Sequence, residues 1–331
     1  MAILQTLILA GAGVLAAQSA AAAPRAGEIH FLPTERETAV PKQFQLADHR
    51  FHFEERLLET SSTAFTLSEV TFPSPVTTAV AINNTVPCEF FRAHRSDPGP
   101  GVVVLHILGG DFALSRVFCR TLASHGCSAL FVKMPYYGPR RPPGSKLRMI
   151  SFDPHETVSG MTQAVLDIRR ATAWLGTQPE VDPKRLGILG VSLGGITGAL
   201  AATAEPRLDR ICLILAGGDI GQVAWESKVL TPLRERWVAS GGTRESLTEL
   251  LKTVDPVTYG ANIRGRQVLM LNARHDEIIP PACTTALWTA FGQPTIVWWD
   301  AGHKSAAQFM FQGLSRAVKF FNAPIVANVP K

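Results

Sequence analysis

The chain has 331 residues, 46% hydrophobic and 18% charged, with only five cysteines, so it can bury a large core without disulfide staples. Disordered, collagen-like and disulfide-scaffold classes are excluded. The formal charge of +5, from 32 basic and 27 acidic residues, is scattered without a block of like charge and does not point to nucleic acid as a partner.

The first 23 residues, MAILQTLILAGAGVLAAQSAAAA, contain no charged residue. Leu7 to Ala17 has the length of a signal-peptide apolar region, and Ala21, Ala22 and Ala23 before Pro24 supply the small residues of a cleavage site. Export to a periplasmic or extracellular space is the expectation. No Lys or Arg precedes the apolar run, and an uncleaved membrane anchor is the alternative.

Residues 24–64 have no strong period and read as an N-terminal extension wrapped on the domain, with HFHF and ERLLE hinting at short elements. FTLSEVTF and PCEFFRA read as an antiparallel hairpin that opens a sheet. From Gly101 onward, the runs GVVVLHIL, SALFVKM, RLGILGV, RICLILA, RQVLMLN and TIVWW are nearly continuous in apolar residues, as expected of strands covered on both faces. Longer amphipathic segments separate them. Met161, Val165, Ile168, Ala171 and Leu175 mark one helix face, and Gly195 to Ala204 is a second helix rich in small residues. This alternation predicts an α/β fold with a mostly parallel central sheet and helices on both faces. The main domain is placed at 65–322, with a tail at 323–331.

Residues 217–265 are too many for a simple connection. Leu230, Leu233 and Trp237, then Leu247, Leu250 and Leu251, predict a small helical insertion before the next strand, either capping a site or only packing. Cys88, Cys119, Cys127, Cys212 and Cys283 form no CxxC pair and have no histidine at metal-ligand spacing, so neither metal nor cofactor is implied. A Cys119–Cys127 bridge is left open.

Between strand RLGILGV and the small-residue helix stands Gly190-Val191-Ser192-Leu193-Gly194. A GxSxG string is common in itself; a strand directly before and a helix directly after give it meaning. A sharp strand-to-helix turn holds the serine in a strained conformation above the strand ends, and its neighbours two residues away must lack bulk. A serine hydroxyl is a weak nucleophile that needs a base, and the base needs an orienting carboxylate.

On these residues the chain resembles the α/β-hydrolase superfamily over 65–322. PYYGPRRP at 135–142 is similar to a PYYGxRxP segment of its esterase and dienelactone-hydrolase-like branches. The resemblance implies an α/β-hydrolase fold and acyl-enzyme chemistry without a cofactor. It implies Ser192 as nucleophile, Asp276 in the loop ARHDEIIP as acid, and His303 in DAGH as base, 84 and then 27 residues apart. Glu277 is the alternative acid. The implied oxyanion donors are Leu193 and, from HILGG, Leu108 or Gly109; Ile107 stands where the family often has glycine. His106 is read as a brace for that loop, and Trp298 and Trp299 as part core, part support for the histidine loop. Tyr136 and Tyr137 are candidate substrate-pocket residues. Arg140, with Arg141, Lys146 and Arg148, forms either a basic rim for anionic substrates or a solvated loop. The expected function is a carboxylic-ester hydrolase acting on a small-molecule ester. The alternatives are a peptidase, thioesterase or lipase with the same triad, and a hydrolase-like binding protein without catalysis.

Overall fold

The computed structural model describes residues 24–324 apart from Ser61 and Asp111. The uncharged segment 1–23, expected to be a signal peptide or anchor, and most of the expected tail lie outside the described residues. Among the described residues no helix is long and apolar enough to cross a membrane.

Ten strands form one sheet: β1 (Arg25–Phe31), β2 (His49–Glu59), β3 (Phe65–Pro73), β4 (Thr85–Ala93), β5 (Gly99–Leu105), β6 (Ser128–Val132), β7 (Val181–Val191), β8 (Arg210–Ile214), β9 (Gln267–Ala273) and β10 (Thr295–Trp299). Their spatial order is β1-β2-β3-β4-β6-β5-β7-β8-β9-β10. The first four pair antiparallel and β4 meets β6 antiparallel; from β6 to β10 every neighbouring pair is parallel.

Residues 24–64 depart from the expected wrapping extension, because they supply two strands to the sheet itself. In HRFHFEE, Phe51, Phe53 and Glu55 are buried while the residues between them are exposed, a period of two that marks one covered face. Glu55 is tolerated inside because Arg92 and Arg25 pair with it, at 2.9 and 3.3 Å.

Helices cover both faces. Side chains alternate across β5, with Val103 and Leu105 in one core and Val102 and Val104 in the other. The first core is completed by α2 (Pro154–Gly176) and α3 (Leu193–Ala204), the second by α1 (Ala113–Ser124) and α8 (Met310–Asn322). Pro154 opens α2 and Asp153 caps it by accepting from the His155 N–H at 2.9 Å. All twelve residues of α3 are buried, which its glycines and alanines permit by letting the helix lie close to the sheet. Segment 217–265 folds as α4 (Ile220–Glu226), α5 (Thr231–Ala239), α6 (Arg244–Leu251) and 3₁₀ turns. Asp255 fastens its two ends by accepting from the backbone of Asp219, Ile220 and Val257. The remaining helix, α7 (Pro281–Ala290), follows β9. All five cysteines are buried and free of disulfides, Cys119 and Cys127 included, and burial pushes their thiols up.

Strand order reverses at β5: the chain leaves through α1 to β6 on one side and returns through α2 to β7 on the other. A crevice is therefore expected where the carboxyl ends of β5 and β7 diverge.

Candidate active site

Ser192 stands in that crevice, at the end of β7, with φ 55° and ψ −118°. Such a turn brings the backbone on its two sides into contact. A Cβ at Gly190 would lie 2.0 Å from the Gly194 carbonyl oxygen, and one at Gly194 would lie 2.7 Å from that of His106. Both positions therefore exclude any side chain. Leu193 opens α3, so its N–H has no acceptor one turn back and lies at the positive end of the helix.

The His303 Nε2 lies 3.0 Å from Ser192 Oγ, and His303 Nδ1 lies 2.7 Å from Asp276 Oδ2. A carboxylate only accepts, so Nδ1 carries the proton and Nε2 is left to accept from the serine. The other Asp276 oxygen accepts from the N–H groups of Ile278 and Ile279, at 2.9 and 2.7 Å, which fixes the carboxylate's orientation. Asp276 is buried, and the His303 side chain is 12% exposed.

Glu277 does not take the acid position. Its Oε2 accepts from the His303 backbone N–H at 2.8 Å, and this bond holds its carboxyl below the usual carboxylate range. Gly302 leaves room for it, since a Cβ there would lie 2.5 Å from the same oxygen. Sequence reasoning missed this anchoring contact; adjacency to Asp276 was its only signal. His275 turns to the surface and pairs with Asp300 at 2.8 Å. Trp299 is buried and stacks on Phe309, while Trp298 is half-buried.

His106 is fully buried at the exit of β5. Its Nδ1–H donates to the Ile107 carbonyl at 2.9 Å, and its Nε2 accepts from the Met134 N–H at 3.1 Å, joining the loops after β5 and β6. Burial pushes this imidazole down to about 4. The turn that follows places Gly109 and Gly110 at positive φ. Leu108 in that turn borders all three cavities around Ser192.

The first cavity is bordered by Ser192, Leu193, Ile196, Met161, Ile150 and Leu108. Its opposite wall is the insertion: Ile220, Val223, Ala224, Val229, Leu230, Leu233 and Leu251. The leucine periodicity of this segment thus marks a cavity wall as well as packing. A second cavity runs past Leu108 and Gly109 to Tyr137, Arg141 and Arg148. A third carries Ser192, His303, Lys304 and Met310.

Two expected substrate residues are placed elsewhere. Tyr136, at φ 62°, donates its N–H to Asn83 Oδ1 and borders a separate cleft with Thr78, His155 and Gln163. Arg140 is fully buried, paired with Asp167 at 2.8 Å and donating to the Asn83 and Lys133 carbonyls. Each of its three guanidinium nitrogens has a buried partner, so it is a structural strut and not part of a basic rim. Tyr137 does reach the second cavity.

Residues 42–224 match the family described as alpha/beta hydrolase domain containing 18, and residues 160–313 match the prolyl oligopeptidase family. The uncharacterized proteins MT2702 and Rv2627c of Mycobacterium tuberculosis are 26% identical over 216 residues, 62% of this chain and 50% of theirs. The chain thus spans about half the length of the curated relatives it matches. Among solved structures, the acetyl xylan esterase from Paenibacillus sp. R4 is similar, with a TM-score of 0.66 and 18% identity over 81% of this chain and 88% of that one. Acetyl xylan esterase 1 from Thermoanaerobacterium sp. JW/SL YS485 gives 0.63 and 16% over 80% and 87%. At these identities the likeness is one of fold.

Proposed function

Because the chain belongs to the alpha/beta hydrolase domain containing 18 family and is an α/β-hydrolase, we propose that it cleaves a carboxylic ester through Ser192, His303 and Asp276. The observation that carries this reading is the hydrogen-bonded row from Ser192 Oγ through His303 to Asp276.

In this reading His303 Nε2 takes the serine proton as Oγ attacks the ester carbonyl. Asp276 holds the ring in the needed tautomer and stabilises the imidazolium. The tetrahedral oxyanion sits against the Leu193 N–H and the turn at Leu108 and Gly109, where each donor is worth about 3 kcal/mol of barrier. His303 then returns the proton to the departing alcohol. Water, deprotonated by the same imidazole, releases the acid from Ser192. The leaving group must lie within reach of His303, which assigns the alcohol to the cavity containing His303 and the acyl group to the one lined by Leu193 and Ile196.

The match of residues 160–313 to the prolyl oligopeptidase family favours peptide cleavage as a second reading. Hydrolysis of p-nitrophenyl esters and peptide p-nitroanilides, each with Ser192→Ala and His303→Ala alongside, separates them. Ester turnover lost in both variants supports the first reading; anilide turnover without ester turnover replaces it, and turnover that survives both substitutions removes the proposed chemistry. The uncharged first 23 residues further support export. A mature chain that still begins at Met1 would contradict a cleaved signal.

A further inference from the structure

The second cavity holds three groups that the proposed chemistry leaves unused. Tyr137 is 4% exposed, and its buried hydroxyl has no hydrogen-bond partner among the described residues. A buried hydroxyl without a partner is costly unless a ligand supplies the acceptor. Arg141 and Arg148 border the same cavity. Both are exposed, and neither forms a salt bridge among the described residues; Arg148 lies over the Phe152 ring at 5.8 Å. No Asp or Glu borders this cavity; the neighbouring carboxylate, Glu156, is engaged by Ser151 Oγ and lines the adjoining cleft that Arg148 also borders, so the two guanidinium groups bias this cavity toward anions without an acid inside it.

This cavity is joined to the one at Ser192. Leu108, Ile150, Val229, Leu230 and Leu233 border both, and no charged residue borders the first cavity. An acyl group leaving Ser192 along this wall meets apolar surface first and then a phenol and two guanidinium groups.

We propose that Tyr137, Arg141 and Arg148 form a subsite for a carboxylate at the far end of the acyl group, so that the preferred substrate is a half-ester of a dicarboxylic acid with an apolar spacer. The inference rests on ester hydrolysis at Ser192 and on the assignment of the acyl group to the side away from His303. A small rotation that turns the buried Tyr137 hydroxyl into the cavity lets one carboxylate oxygen accept from it, and the arginines neutralise the charge. Burial pushes the phenol up to about 12, so it stays a neutral donor at physiological pH. The reaction is ordinary hydrolysis: water enters, the ester C–O bond breaks, and a dicarboxylate and an alcohol leave.

The test compares mono-p-nitrophenyl suberate with p-nitrophenyl octanoate, which share chain length and leaving group. The expected kcat/KM ratio favours the suberate by about tenfold at low salt and narrows as salt rises. In Tyr137→Phe and in Arg141→Ala/Arg148→Ala the ratio falls toward one; being a ratio, it cancels any loss of folded protein. A wild-type ratio of one or less, or a ratio unmoved by these variants, overturns the subsite while octanoate turnover leaves the esterase reading standing. Should neither ester turn over, calorimetric binding of suberate against octanoate to Ser192→Ala decides. Tighter suberate binding, lost in the Arg141→Ala/Arg148→Ala background, keeps the subsite and removes the esterase reading; equal binding removes the subsite.

Discussion

Replacing His106 by glutamine should change how stability depends on pH. In the folded protein the imidazole is fully buried, with both nitrogens committed to backbone partners, and its pKa is pushed down to about 4. In the unfolded chain it titrates near the ordinary value of about 6.5. As pH falls below about 6.5 the unfolded state takes up a proton that the folded state refuses, so stability is full above that value and declines as pH drops toward 4. At about 1.4 kcal/mol per pH unit the loss reaches about 3 kcal/mol. His106→Gln has no proton to take up there. Urea unfolding of both proteins at a series of pH values between about 7 and 4 should show wild type the more stable at neutral pH, with its advantage shrinking by about 3 kcal/mol at the acid end. Other titrating groups are common to both proteins and cancel. A constant difference across the range would refute the buried, neutral assignment of His106.

Gly190→Ala should lower kcat by at least about a hundredfold in steady-state ester assays. Its Cβ would sit 2.0 Å from the Gly194 carbonyl oxygen, and relieving that contact moves Ser192 away from His303; wild-type turnover would contradict the need for bare backbone there. Glu277→Ala should lose about tenfold in kcat with little change in KM, because the His303 loop loses its side-chain acceptor. Glu277→Gln, whose amide oxygen can still accept from the His303 N–H, should recover most of the loss, and equal damage in both variants would show that charge, not this bond, is what matters.

Strands β5 to β9 could be read from sequence because their cores are covered on both faces, which leaves an almost unbroken apolar run, and the edge strand β10 because TIVWW is β-branched and aromatic although only Trp299 is buried. The turn at Ser192 was legible because steric exclusion writes itself locally, as glycine two residues either side. Ser192, Asp276 and His303 could be nominated together because each follows an apolar strand whose end faces the same crevice. The parts that were not legible depend on partners far along the chain. Strand β2 carries three consecutive charges, Glu54, Glu55 and Arg56, and its inward Glu55 looks like surface until Arg92 is known to meet it. Arg140 stands in a proline-rich, basic stretch typical of a solvated loop; the carboxylate that draws it inside, Asp167, lies 27 residues on in α2. Leu230 and Leu233 carry the helical period of a packed face, and nothing local tells that the face borders a cavity.

The central claim is that Ser192 is an activated nucleophile. A fluorophosphonate probe followed by peptide mass analysis tests it most directly. The expected result is a single adduct on the peptide containing Ser192, absent in Ser192→Ala and strongly slowed in His303→Ala. Folded wild-type protein that takes up no probe, or takes it up equally after Ser192→Ala, would contradict the claim.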